Sequence, residues 1–371
     1  MDNISSYHFL TVTALNEWDW TSRIIFFSFA LLAYLLTIVL NAALIMIIAF
    51  EKALHEPMYI FLCNLCVNDL CGTTGFYPRA LVYLLTETNR ISFEECIVQC
   101  LAVVYSVGEF TNLSVMAVDR YIAICQPLRY HSIMSPFTAL SLVTFIWIFP
   151  FFIGVMAVSL ALKHPLCRHD INKLFCEHLS LLNLACKQDI FQGIFNGFIY
   201  ISMAVFFVFV LISYLKIILA CRKSKVNREK FYSTCVPHLI SFLNTTCGLS
   251  DSLLTRFKVE TLSNIAVFFV FVLMSYLKII LACRKSKVNR EKFYSTCVPH
   301  LISFMITTCG LSDSLLTRFK AETLSNIAST FLSVIILTFP PVVNPVIYGI
   351  KLGPIRAKIL YIFKSPRINN L

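Results

Sequence analysis

Long uncharged runs alternate with short charged ones along this chain. Uncharged stretches cover Ile24–Phe50, Ser132–Leu162, Ile190–Leu215 and Thr323–Ile350. Each exceeds the roughly 20 residues that a helix needs to cross about 30 Å of hydrocarbon. Met58–Pro78 and Ile97–Val118 read as further spans, each interrupted by one carboxylate, Asp69 and Glu109. Phe231–Ser250 is another uncharged run, and Thr261–Cys283 adds a span in which Lys278 can snorkel from the inner end. The pattern predicts an all-α membrane protein with nine hydrophobic spans. Its parts are an outer N-terminus (1–23), a membrane domain (24–350) and a tail (351–371).

Internal repetition explains two of the nine. Shifted by 62 residues, 205–266 overlays 267–328, and only Ile212/Met274, Leu243/Met305, Asn244/Ile306 and Val259/Ala321 differ. Solenoid units diverge far more and need at least about three copies. Two near-identical copies read as a recent tandem duplication or an error in the gene model. One copy carries two crossings, so it adds a helical hairpin and leaves the last span in its original direction. Without it the chain has 9 − 2 = 7 spans.

Composition agrees with a membrane solvent: 58% of residues are hydrophobic and only 14% charged. The net charge of +11 gathers in Arg120–Arg129, Arg222–Lys230, Arg284–Lys292 and Lys351–Arg367. By the positive-inside rule these segments are cytoplasmic, which places the N-terminus outside and the C-terminus inside. That accounts for the basic balance without nucleic acid as a partner. The polar, acidic start and the long first apolar run predict a retained signal-anchor rather than a cleaved leader. Asn3-Ile4-Ser5 is a glycosylation acceptor suited to that outer end. Lys351–Arg367 alternates basic residues with Ile355, Ile359, Leu360, Ile362 and Phe363. That predicts a short amphipathic helix on the inner surface, bounded by Pro354 and Pro366.

Candidate chemistry lies inside the spans. Asp69 lies 11 residues after Met58, and Glu109 lies 11 before Arg120. Both therefore sit about 16 Å from the inner edge. Two carboxylates at one depth need a cation or a shared proton, with Asn41 and Asn344 at comparable depth. Asp119-Arg120-Tyr121 ends the third span, and Arg120 can be released from Asp119 when a helix moves. Pro345 removes a backbone donor and kinks the last span, so Asn344 and Tyr348 can exchange partners. Four of the 15 cysteines, Cys96, Cys167, Cys176 and Cys186, fall in outer segments where disulfides form. Their pairing is open on spacing alone. Cys235/His238 and Cys297/His300 lack further ligands nearby and read as packing, not as a metal site. No catalytic arrangement and no phosphate-binding glycine loop is present, so no enzyme is expected.

With the repeat set aside, four segments stand in a familiar order: "LHEPMYIFLCNLCVNDL" (Leu54–Leu70), "MAVDRYIAICQPLRYHSIMS" (Met116–Ser135), "KFYSTCVPHL" (Lys230–Leu239 and Lys292–Leu301) and "PPVVNPVIYGIK" (Pro340–Lys351). The chain resembles the olfactory (odorant) receptors of the rhodopsin-like G-protein-coupled superfamily, with wording in its second span similar to teleost types. The resemblance implies a seven-helix bundle in the plasma membrane, here with one duplicated hairpin. It implies a sodium site at Asp69 and Glu109, although a protonated pair is the alternative. It implies G-protein engagement, of the olfactory stimulatory type, through Asp119, Arg120, Tyr121, Asn344, Pro345 and Tyr348. It also implies disulfides Cys96–Cys176 and Cys167–Cys186.

For the odorant, a small organic molecule, the resemblance points to an outer-half pocket. Ala102, Val103, Ser106 and Val107 come from the third span, and Phe195, Phe198 and Ile199 from the fifth. Thr245 and Thr246, or their copies Thr307 and Thr308, come from the sixth. Helix packing is the competing role for each. One departure stands out: Cys96 lies 24 residues before Arg120, one fewer than the family pattern, which shifts the register of the upper third span. A transporter, or a receptor-derived chain that the extra hairpin prevents from folding, are the other readings.

Overall fold

Asp19 starts the first crossing. In this computed structural model its carboxylate accepts from the Ser22 N–H at 3.2 Å and the Ser22 hydroxyl at 2.6 Å. The Ser22 bonds hold the carboxyl below its ordinary range. The side chain thus satisfies donors that a helix start leaves open, and α1 runs Trp20–Phe50. At 31 residues it is about 46 Å long, enough to cross a bilayer and project. A turn at Lys52–Leu54 leads into α2 (Pro57–Leu85), with Pro57 in the first turn, where its missing N–H costs nothing. The span expected to stop at Pro78 continues to Leu85. An interior proline removes one backbone bond but does not end a membrane helix whose neighbours can satisfy the freed carbonyl.

The third crossing is described as two helices, α3 (Phe93–Val103) and α4 (Tyr105–Cys125). The inner turn carries α5 (Tyr130–Ile133), and Ser135 caps α6 (Pro136–Leu162). On the outer side α7 (His178–Leu184) precedes α8 (Ile190–Cys221). The chain closes with α9 (Asn326–Lys351) and α10 (Gly353–Lys364), the latter where the amphipathic tail helix was expected.

The structure describes residues 9–221, apart from 17, 87, 88, 104, 164, 172, 177, 188 and 189, and residues 326–364. They belong to one compact unit, Met1–Thr245 with Ser325–Leu371. Asn3, most of both repeat units, the duplicated hairpin, Thr245, Thr246, Thr307 and Thr308 lie outside the described residues. So do the side chains of Ala102, Val103 and Ser106.

The all-α expectation needs one correction. Three short outer strands, β1 (Phe9–Val12), β2 (Arg90–Ser92) and β3 (Asp170–Ile171), form a sheet in the order β2-β1-β3. β1 pairs antiparallel with β2 through Leu10 and Ile91, and parallel with β3 through Val12 and Ile171. Those four apolar side chains are buried, together with Trp18, Phe76, Tyr83 and Phe175. An alternation this short is swamped by the helical pattern around it, so the hydrophobic periodicity gave no sign of it. The sheet ties the N-terminal segment across the outer end of the bundle. Disulfides Cys96–Cys176 and Cys167–Cys186 fasten the outer loop between α6 and α8.

Below this cap, α1 and α6 are each long and apolar enough to cross a membrane. They turn large apolar side chains outward, among them Leu32, Val39, Ile148 and Phe152, as lipid-facing helices do. Helices α2 and α4 approach closely at two glycines. A Cβ on Gly72 would stand 2.2 Å from Cγ of Tyr105, and one on Gly108 would stand 2.4 Å from Oδ1 of Asn68. Asn68 also donates to the Tyr105 carbonyl at 3.1 Å. The two glycines therefore set the helix separation at the level of Asp69 and Glu109.

Candidate functional site

Three side chains from α2, α4 and α9 meet in the middle of the bundle. Asn344 Nδ2 donates to Glu109 Oε1 at 3.1 Å and points at Asp69 Oδ2 at 3.5 Å. All three residues are buried. One amide cannot compensate two carboxylates, so a proton or a cation must complete the site. Among the described residues Oδ1 of Asp69 and Oδ1 of Asn344 have no hydrogen-bond partner, and each is a hard oxygen of the kind a small cation takes. Asn41, expected beside them, does something else: its Nδ2 donates to the carbonyls of Thr37 at 2.9 Å and Pro341 at 2.8 Å. It pins α1 to the proline-rich part of α9, where a proline leaves a carbonyl without its helical donor. Among the described residues no group of three or more His, Cys, Asp or Glu gathers as a metal site.

At the inner end of α4, Asp119 Oδ2 accepts from Arg120 Nε at 2.8 Å and also from Arg120 Nη2. Oδ1 of Asp119 accepts the Tyr130 hydroxyl at 2.8 Å. Asp119 is fully buried and Arg120 nearly so. Burial, and then the Asp119 charge, push the Tyr130 hydroxyl far above its ordinary range, so it remains a donor at any physiological pH. Tyr121 receives the Lys216 ammonium of α8 over its ring at 5.7 Å. Tyr348 is buried one helical turn beyond Asn344, and α9 runs unbroken through Pro340, Pro341 and Pro345. At the far inner edge, Lys358 of α10 pairs with Glu51 at the end of α1 at 2.5 Å.

The outer half differs most from expectation. Phe198, placed in the pocket from sequence, is 49% exposed and turns out of the bundle. Phe195, Ile199 and Val107 are half-buried, with Phe195 edge-on to His178. The buried face of α8 instead carries Gln192 and Asn196, and further in Val210 and Ser213. In a bilayer the apolar face of a helix meets lipid and the polar face turns inward, the reverse of a soluble protein. Gln192 Nε2 donates to the Leu160 carbonyl of α6 at 2.9 Å, and Asn196 Oδ1 meets His178 Nε2 at 3.1 Å. On α3, Gln99 Oε1 accepts the Cys176 N–H at 3.0 Å. A search for ionisable residues overlooks these amides. The i, i+4 pair Gln192/Asn196 inside an uncharged run was the available signal.

Comparison with known proteins agrees with this geometry. The family described as 7 transmembrane receptor (rhodopsin family) matches residues 40–348. Olfactory receptor 8G17 of Mus musculus is 38% identical over 216 residues, covering 56% of this chain and 69% of that protein. Olfactory receptor 10A6 of Homo sapiens is 37% identical over 217 residues, 57% of this chain and 69% of that protein. Olfactory receptor 5M5 of Mus musculus is 34% identical over 270 residues, 70% of this chain and 84% of that protein. The chain belongs to the rhodopsin family of seven-transmembrane receptors and, within it, to the olfactory receptors, a family of multi-pass membrane receptors and not of enzymes.

Proposed function

We propose that this receptor takes up a small organic odorant in the outer half of its bundle and engages a heterotrimeric G protein at its inner face. The olfactory stimulatory type of G protein is the partner this reading names. The closed arrangement of Asp119, Arg120 and Tyr130 carries the proposal. A buried guanidinium held by its neighbour's carboxylate is a stored cation, available to a cytoplasmic partner only when the inner ends of the helices separate. Between pocket and partner, Asp69, Glu109 and Asn344 tie three helices to one charge balance, and a sodium ion suits the carboxylates and the Asn344 oxygen. Losing that ion changes the repulsion between the carboxylates and so biases the helix positions. The outer disulfides and the basic inner segments support an N-terminus outside and a C-terminus inside.

Arg120→Ala tests the reading through constitutive second-messenger output. Signalling is lost while surface delivery of the tagged receptor persists. Wild-type-like output from that variant overturns it.

The duplication favours a second reading, a receptor-derived chain that does not reach the surface. In the first reading, seven of nine spans assemble and one hairpin faces lipid. Long-read sequencing of the transcript across codons 200–330 separates the possibilities. An absent insert leaves an ordinary seven-span receptor. A present one makes surface delivery of the full chain decisive.

A further inference from the structure

Gln99 lies six residues into α3 and Asn196 six residues into α8, so each sits about 9 Å below the outer end of its helix. Both are more than nine-tenths buried, at 5% and 6% exposure. Each gives its oxygen to the same outer loop, Gln99 to the Cys176 N–H and Asn196 to His178 Nε2. Cys176 and His178 are two residues apart, so their Cα atoms lie within about 7 Å of one another. A backbone N–H can only donate, which fixes the Gln99 amide: its oxygen faces the loop and its NH2 faces away. With the His178 proton on Nε2, Asn196 is oriented the same way. Among the described residues, Gln99 Nε2 and Asn196 Nδ2 both lack a partner. A buried donor left unmade is costly, and native proteins seldom leave two such donors beneath one loop without a ligand or water to receive them.

We infer that these two amide NH2 groups are the polar contacts of the odorant pocket, and that the odorant is recognised by an acceptor oxygen, a carbonyl or carboxylate, placed beneath the Cys176–His178 segment. The inference deepens the proposed odorant-receptor reading and rests on it. Same-sense donors select against ligands whose only polar group is a donor. The loop that closes the pocket also fixes the amides, so the disulfide at Cys176 holds the recognition geometry.

The test uses the full-length tagged receptor in cells, compared at equal surface level. Straight-chain eight-carbon probes share a tail and differ at the head: octanal, 2-octanone, methyl heptanoate and octanoate against octane and 1-octylamine. The oxygen-bearing probes activate the wild type; octane and 1-octylamine do not. Gln99→Glu keeps an oxygen for the Cys176 N–H but replaces the donor by an acceptor. It lowers potency for the carbonyl probes by about tenfold or more and creates a response to 1-octylamine. Asn196→Asp makes the same exchange against His178 and serves if Gln99→Glu fails to reach the surface. A role confined to anchoring the loop moves all probes together and does not reverse their order. Unchanged rank order in both variants overturns the inference, as does activation by octane equal to that by octanal, or silence of the surface-delivered wild type toward all four oxygen-bearing probes. The receptor reading is judged separately, by the constitutive output of Arg120→Ala, which needs no odorant.

Discussion

Replacing Gly72 by alanine sets two effects of known sign against each other. Removing glycine from a helix interior favours folding by about 1 kcal/mol. The added Cβ, however, stands 2.2, 2.5 and 2.6 Å from three ring carbons of Tyr105. Ordinary contact begins at 3.4 Å, so the ring or the helix must give by at least 3.4 − 2.2 = 1.2 Å. The nearest atom is Cγ, which lies on the ring-flip axis, so turning the ring cannot clear it and only a new χ1 rotamer or a shift of the helix can. Overpacking of this kind costs about 1–3 kcal/mol, and a rigid obstacle lies at the upper end. The net loss is about 2 kcal/mol, or roughly 2–4 °C in Tm for a chain of this length. Gly108→Ala meets a similar distance, 2.4 Å, but its obstacle is the far end of the Asn68 amide, which can swing away. It loses only the Asn68 bond to the Tyr105 carbonyl and falls by less. The assay is thermal unfolding of the solubilised full-length receptor, followed by fluorescence-detected size exclusion. Adding Tyr105→Ala, which has no γ-carbon, to Gly72→Ala removes the obstacle, so the double variant is more stable than the two single losses sum to. A Gly72→Ala receptor that is more stable than wild type would refute the close packing and leave helix propensity as the governing effect.

Two further outcomes are expected at the buried polar site and the outer cap. Asp69→Asn leaves Glu109 as the sole carboxylate of the cluster, so the Tm gain of the wild type in sodium chloride over choline chloride disappears; a persistent gain places the ion elsewhere. Cys176→Ser opens the link between α3 and the outer loop, a loss of about 2–5 kcal/mol, and cuts surface delivery measured by flow cytometry; undiminished delivery would show that the sheet alone holds the cap.

The readable part of this protein was the part a bilayer imposes. Span positions came from run length, and the depth of Asp69 and Glu109 from a rise per residue, because a membrane helix cannot hide an unpaired carboxylate cheaply. The direction of each helix face was harder. The resemblance pointed to the outer half of the fifth span and so to Phe198, but it does not fix which side of the helix turns inward: Phe198 faces outward and Asn196 faces in. Pro78 looked like a helix end, yet α2 ran on to Leu85. The strand Phe9–Val12 was unreadable for another reason: its partners lie about 80 and 160 positions away, and no local pattern of four residues announces them.

That strand also sets an order of assembly. Phe9–Val12 leaves the ribosome among the first residues, but Asp170–Ile171 must be synthesised and delivered across the membrane before the parallel edge can form. The cap therefore cannot close until four crossings are in place, and the first segment made waits longest for its partner. With the N-terminus outside, as proposed, Val12 lacks its β3 partner during that interval and stands on the lumenal side, where a chaperone that holds extended apolar segments would find it. The N-terminal segment thus reports on completion of the outer half: an antibody against it would bind unfinished chains and lose its epitope as the sheet shuts.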